Sequence, residues 1–356
     1  MDTKAQIADR QLLDAALNVA RTFGLTAELV QEAPLLGRTR ADALVRLAHG
    51  AHEAQYAVDV KRAVRPATLG VVIHQLQRLG DQALLVADYI TPLMADKLRA
   101  QRVQFIDAAG NAYLEHPGTL IWVKGEKPAA PLVPPALGRA FQPTGLQVLF
   151  AMLCDPARIN LPYRELATLA GVAHGTVGWV IPDLQQQGFV ADLNGRRGTR
   201  RLFQLERLLA QWVDAYVRQL RPRTLIGRYY VPALAGWRDW PLAQHGALWG
   251  GEPGGALLTN YLRPGELTIY ADKLPGMLAA KQRFFKAPEP GHTAVVEVRR
   301  KFWNFPIDAV RTDERLHHVT PPVLVYADLL ATGDGRCIET AKMVYDAHVA
   351  GLFDKA

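Results

Sequence analysis

Four arginines fall within six residues, Arg196, Arg197, Arg200 and Arg201, and His174 and Thr176 lie one helix upstream of them. Guanidinium groups at that density suit a phosphate backbone, whose charge supplies most of the affinity in DNA binding. An imidazole and a hydroxyl can hydrogen-bond to base edges or to phosphates. A second pairing is of another kind. Between Gln55 and Lys61, Tyr56, Val58 and Val60 alternate with Gln55, Ala57, Asp59 and Lys61. A strand sends those two sets to opposite faces, so Asp59 and Lys61 emerge side by side.

The arginines and His174 need elements to position them, and the stretch from Ile159 to Phe203 reads as a winged helix-turn-helix. Leu161, Leu166 and Leu169 mark a short amphipathic helix, and Gly171 supplies the turn. Val172, Val177, Val180, Ile181 and Leu184 then recur at helical spacing until Gly188. Phe189, Val190 and Leu193 lead out, Leu202 and Phe203 return, and Asn194 to Arg201 forms the hairpin loop, or wing. In such a fold the second helix enters the major groove by its first turn, Ala173 to Thr176, while the wing follows the backbone. Pro182 lies inside that helix and is expected to kink it, at about 3 kcal/mol.

Charge follows the same stretch. The 356 residues carry a net charge of +7, yet Gln142 to Arg228 alone holds eleven Arg, no Lys and six acids. A local excess of this kind favours double-stranded DNA as partner over a generally basic surface. No apolar run is long enough for a bilayer and MDTKAQIADRQ has no signal-peptide core, so a cytoplasmic protein without membrane contact is expected. Cys154 and Cys337 stand far apart without ligand spacing, which indicates buried thiols and neither a zinc site nor a disulfide framework.

The whole reads as a multidomain α/β chain. Residues 1–126 are expected to form an α/β sandwich, with helices at 11–24, 67–79 and 92–101 and strands at 27–30, 43–48, 55–61, 83–87, 103–106 and 120–124. Residues 127–139 bring four prolines and read as a semi-rigid linker. The winged helix-turn-helix, with an extension helix at 206–220, takes 140–222. An α+β domain fills 223–356, with strand-like stretches at 267–270, 294–298 and 322–326 and a closing helix at 339–350. Within it, Gly250, Gly251, Glu252, Gly254 and Gly255 match no phosphate-binding fingerprint and read as turn chemistry. Asp328 and Asp334 flank Thr332-Gly333, which a helix end and a turn explain.

Two resemblances add to this. In the first domain, Asp42 opening one strand and Asp59-Val60-Lys61 closing another resemble the PD-(D/E)XK nuclease core, a restriction-endonuclease-like α/β fold. That resemblance implies Asp42 and Asp59 as ligands of Mg²⁺ or Mn²⁺, with Lys61 orienting or stabilising the attacking water. No proline precedes Asp42, and the acid of the first helix region is either Asp14 or Glu28. Metal-dependent endonuclease activity, with these three as catalytic residues, stands as one alternative function, and a degenerate site in a binding scaffold as the other outcome.

The second resemblance spans most of the chain. Residues 84–114 (LLVADYITPLMADKLRAQRVQFIDAAGNAYL), 161–190, 250–272 and 321–346, with the DAAGN turn and the YADLLATGD segment, are similar to the AbiEi-type antitoxins of type IV toxin-antitoxin systems. It implies a transcriptional regulator that represses its own operon, often in phage defence, and counters a partner nucleotidyltransferase toxin. DNA binding is then expected at Ala173 to Trp179 and the 194–201 wing, and no catalytic residue is implied. A protein-interaction module that neutralises a toxin remains the third reading.

Overall fold

The computed structural model describes residues 4–36, 39–62, 64–116, 118–128, 138–192, 199–287, 294–307 and 318–353. The chain divides into two compact units, 1–136 and 137–356. Linker residues 129–137 and the wing-tip residues 193–198, Arg196 and Arg197 among them, lie outside the described residues.

The first unit is built on a seven-stranded sheet. Helix α1 (Lys4–Thr22) precedes β1 (Thr26–Glu32), the two-residue strands β2 (Leu35–Leu36) and β3 (Thr39–Arg40), β4 (Ala43–His49) and β5 (His52–Lys61). Helix α2 (Leu69–Leu79), β6 (Ala83–Ala87), α3 (Pro92–Ala100), β7 (Gln104–Asp107), β8 (Ala112–His116) and β9 (Thr119–Val123) follow. The sheet order is β1-β4-β5-β6-β7-β8-β9; β5, β6 and β7 run parallel, and the flanking pairs are antiparallel. The expected stripe of α1 is buried: Leu12, Leu13, Ala16, Leu17 and Ala20 form one core with Val45, Leu47, Tyr56, Val58, Val60, Leu84 and Val86. Leu85 and Phe105 alternate with the residues of that core and are also fully buried. They therefore point to the opposite face, where α2 and α3 supply the second helical layer. Strand β8 has no counterpart in the sequence reading, because DAAGN hides a tight hairpin between two short apolar runs.

The second unit begins with α4 (Pro143–Cys154), α5 (Tyr163–Ala170) and α6 (His174–Gln186). The short hairpin β10 (Val190–Asp192) and β11 (Arg200–Leu202) and then α7 (Leu205–Ala215) come next. Helix α7 passes through a π-helical turn, Tyr216–Leu220, into α8 (Arg221–Thr224). Beyond it lie β12 (Leu225–Val231), β13 (Leu248–Gly250), α9 (Gly251–Thr259), β14 (Glu266–Ala271), α10 (Gly276–Lys281), β15 (Ala294–Arg300), α11 (Pro322–Thr332), α12 (Gly335–Val344) and α13 (Ala350–Phe353). The four-stranded sheet runs β12-β15-β14-β13.

The segments 140–222 and 223–356 are joined by a shared aromatic core. Phe150 of α4 lies 5.5 Å from Trp212 of α7 and 5.1 to 5.6 Å from Phe302, Trp303 and Phe305, ring centre to ring centre. Two local expectations are corrected. Residues 322–326, read as strand-like, begin helix α11, whose Val323 to Leu330 are all buried. A continuous apolar run has no period that separates a buried strand from a helix buried on every side. The glycine-rich stretch read as turn chemistry is helix α9. A Cβ on Gly254 would meet Val325 at 2.8 Å, and one on Gly255 would meet Leu329 at 3.0 Å, so the glycines let α9 and α11 approach closely. No helix among the described residues is long and apolar enough to cross a membrane.

Candidate nucleic-acid interface and the acid corner of the sheet

Helix α5 ends at Gly171, whose φ of 68° is left-handed, as a tight turn into a second helix requires. Helix α6 then buries Thr176, Val177, Val180, Ile181 and Leu184. Thr176, expected beside His174 at the DNA, is only 8 % exposed, because position 176 falls on the same inward face as Val180 and Leu184. Of the two residues assigned to base contact, His174 alone stands in solvent, together with Gly175, Gly178, Pro182, Gln185 and Gln186. Pro182 lies within the helix as expected.

The hairpin is short and its base is pinned. Val190, Ala191 and Asp192 pair with Leu202, Arg201 and Arg200. Asn160, at the end of the 3-10 turn Pro156–Asn160 before α5, donates from its side-chain amide to the Arg200 carbonyl (3.0 Å) and accepts from the Arg200 amide (2.9 Å). The Arg200 guanidinium lies 5.0 Å over the Tyr163 ring at the start of α5, and Arg201 is exposed. Thus Arg200 and Arg201 reach solvent from a fixed frame, next to a helix with His174 in its first turn. Asn160 was missed in the sequence reading; an Asn just before a helix is ordinarily taken as a cap.

The turn is also held from the far end of the chain. Asn304 donates from its amide to the Leu169 carbonyl (2.8 Å) and from its side chain to Thr168 (3.1 Å), while Gln147 donates to the Phe302 carbonyl (3.0 Å).

In the first unit, Asp42, Asp59 and Lys61 come together at one corner. The Asp42 amide donates to the Val58 carbonyl (2.9 Å), and the Asp42 carboxylate accepts from the Val60 amide (2.8 Å). Lys61 Nζ lies 2.8 Å from Asp59 Oδ1. The other oxygen, Oδ2, is buried without a hydrogen-bond partner among the described residues. Burial pushes the Asp59 carboxyl up to about 6; Lys61 opposes the shift and the charge of Asp42 adds to it. Of the acids left open for the first helix region, Asp14 pairs with Arg10 and Glu28 with Arg46. The α1 acid that reaches the end of β5 is Asp9, 2.7 Å from Arg62, and a register three residues short of the buried stripe concealed it. Among the described residues no group of three or more His, Cys, Asp or Glu side chains is arranged to hold a metal. Mg²⁺, which keeps most of its waters, is often held by one or two carboxylates alone.

Other acids are structural. Asp107, buried in the DAAGN turn, accepts from the amides of Ile90, Ala109 and Asn111 and from the Asn111 side chain. Asp334 caps α12 by accepting from the Arg336 and Cys337 amides. Asp328 accepts from Tyr216 (2.9 Å), Tyr270 (2.8 Å) and Arg221 (3.0 Å) in the core of the second unit. Burial, with Asp328 beside them, pushes both tyrosine hydroxyls far above their ordinary range.

No curated protein and no solved structure matches the chain. A family match begins within β11 and takes in α9, Phe302, Trp303 and Phe305, α11 and α12. Residues 201–350 match AbiEi_2, described as transcriptional regulator, AbiEi antitoxin, type IV TA system. This part of the chain, which holds the buried Asp328 network, is therefore similar to the AbiEi antitoxin and transcriptional-regulator family.

Proposed function

We propose that the protein is a DNA-binding transcriptional regulator that contacts double-stranded DNA through a winged helix-turn-helix formed by α4, α5, α6 and the β10–β11 hairpin. The observation that carries this reading is the left-handed Gly171 turn between α5 and α6, followed by a hairpin whose base Asn160 clamps. That order of elements presents the first turn of α6 and the hairpin loop to one duplex. His174 is the side chain placed to contact a base edge; Arg196, Arg197, Arg200 and Arg201 supply phosphate contacts. The match of residues 201–350 to a transcriptional regulator and antitoxin of type IV TA systems suggests regulation of a toxin-antitoxin operon as the biological setting. A gel-shift titration of the full chain on its own upstream region tests the reading. Replacing the four arginines by alanine should weaken binding on every sequence and flatten its salt dependence. Unchanged affinity in that variant would remove the wing assignment.

A second reading is favoured by one observation, the orphaned Oδ2 of Asp59. Asp42 and Asp59 fit a divalent ion that completes its shell with water, and Mg²⁺ or Mn²⁺ there would supply Lewis-acid polarisation of a phosphodiester. Lys61, held against Asp59, would position the water and steady the charge developing on the phosphate. Plasmid nicking in Mg²⁺ or Mn²⁺ that Asp59→Asn abolishes would support it. Absence of nicking with either metal would leave the sheet as a scaffold.

A further inference from the structure

A cavity in the second unit takes no part in the sites described so far. Its volume of about 410 Å³ is within the range of pockets that hold small ligands. Ala247, Leu248, Pro306 and Ile307 give it apolar walls, and Lys301 and His318 bring a cation and an imidazole to it. No acid lies among the described residues that line it. Lys301 pairs with Asp272, but at 3.7 Å and with the Asp272 side chain 78 % exposed, a pair of a kind that contributes little in water. The Lys301 backbone, in contrast, is fixed by the 3.0 Å bond from its amide to the Ala271 carbonyl. A cation on a fixed frame, beside an apolar hollow without a negative charge in its lining, is complementary to an anion on an apolar body.

The segment that walls this cavity also holds the helix-turn-helix. Six of the seven residues 301–307 line the cavity, Asn304 among them. Asn304 makes both bonds to the turn, and Phe302 accepts from Gln147 of α4. A Cβ on Gly171 would lie 3.4 Å from the Asn304 side chain and 3.5 Å from the Phe302 carbonyl oxygen. The turn therefore rests on a stretch of chain that an occupant of the cavity would also touch.

We propose that the cavity is an effector site for a small organic carboxylate with an apolar body, the carboxylate paired with Lys301 and the body lying against Leu248 and Ile307. A single lysine balances one negative charge, which suits a carboxylate better than a phosphate monoester of nearly two. The cavity is open in the same conformation in which both Asn304 bonds are made, so the occupant and the intact turn favour one state. Occupancy then raises the affinity for DNA by linkage. Carboxylate binding stands on the cavity alone; its effect on DNA rests on the winged-helix reading.

The test uses the full chain and 4-fluorobenzoate as the probe, followed by its fluorine NMR line. The line should broaden with a dissociation constant of about 1 mM or tighter, the scale for so small a ligand. Neutral 4-fluorobenzamide should bind about tenfold more weakly, the scale of one charge-assisted bond. Lys301→Met keeps the stem and removes the charge, so it should cost the benzoate about tenfold and the amide nothing. Ala243→Trp, which puts an indole at an exposed lining position, should lose both probes and decides the matter if Lys301→Met fails to fold. Absence of broadening, or broadening that both variants retain, overturns the site. Inorganic phosphate that displaces the probe at equal concentration overturns the apolar body. In gel shifts on the protein's own upstream region, saturating 4-fluorobenzoate should raise DNA affinity about fivefold in the wild type and not in Ala243→Trp. An unchanged affinity in the wild type overturns the effector role. A chain that takes the probe and binds no duplex overturns the winged-helix reading and the effector role with it, while the carboxylate site stands; one that binds the duplex and not the probe loses this inference alone.

Discussion

Asp59 in the first unit, half-buried, and Asp328 in the second, fully buried, are carboxylates with lysine or arginine beside them, and they are finished to different degrees. Asp328 has a partner on each oxygen: Tyr216 and Arg221 on Oδ1, Tyr270 on Oδ2. Arg299 and Glu297, 2.6 Å apart, extend the network, and Arg299 donates onward to the Arg221 carbonyl (2.8 Å). Asp59 has Lys61 on one oxygen and, among the described residues, no hydrogen-bond donor on the other. A satisfied buried network costs little to keep and strengthens the packing around it, whereas a half-satisfied one is a standing penalty. The first arrangement ties the π-helical turn after α7, α8, β14, β15 and α11 into one body.

That contrast can be broken most directly at Asp328. Replacing it by alanine should leave Arg221 and two tyrosine hydroxyls buried without their acceptor, a loss of about 3–5 kcal/mol. Chemical denaturation should show the second unit unfolding at lower denaturant with the first unaffected, since the two are separate compact bodies. A loss below about 1 kcal/mol would mean the network is dispensable and the contrast empty.

The opposite sign is expected at Asp59. Its folded carboxyl is raised from 3.8 to about 6, so protonation favours the folded state; that contribution is fully present below pH 3.8 and is lost as pH rises through 6. At pH 8 the ionised carboxylate is a burden of about 2–3 kcal/mol, from about 1.4 kcal/mol per pKa unit. Asp59→Asn should therefore stabilise the first unit at pH 8 by up to about 2 kcal/mol, the loss of the Lys61 pair holding the gain to the low end. Thermal melts at pH 8 and pH 4 should show the gain shrinking toward the acid end. A variant less stable than the parent at pH 8 would show Asp59 to be as well satisfied as Asp328.

Smaller effects sharpen the same comparison. Tyr270→Phe removes one donor to Asp328 and should cost about 1.5–3 kcal/mol, the usual range for a hydrogen bond to a charged group. Mn²⁺ or Mg²⁺ in millimolar excess should raise the melting temperature of the first unit by a few degrees, and Asp59→Asn should lose that response. An equal shift in parent and variant would place the ion elsewhere.

How far the sequence could be read depended on whether a position is settled locally. The α1 stripe from Leu12 to Ala20, the alternation from Tyr56 to Val60 and the Gly171 turn are each set by neighbours in sequence, and each has the expected form. Residues 322–326 and 250–255 went astray because burial on every side erases periodicity, and because glycine serves helix contact as readily as a turn. Thr176 lies on the inward face with Val180 and Leu184, and one helical position decides whether a side chain faces solvent or core.

By itself the sequence determined the α/β class, the separation of a first unit from the rest, the helix–turn–helix–hairpin order and the concentration of arginine around it. Those follow from short-range periodicity, turn chemistry and charge, which require no knowledge of distant partners. Only the tertiary structure decided that Asp9 rather than Asp14 or Glu28 reaches β5, that Asn160 and Asn304 brace the hairpin and the turn, and that Asp328 closes a network across residues 216–328. The reason is physical: a polar side chain takes its role from whichever donor or acceptor the fold brings within about 3 Å, and that neighbour lies scores of residues away in the chain.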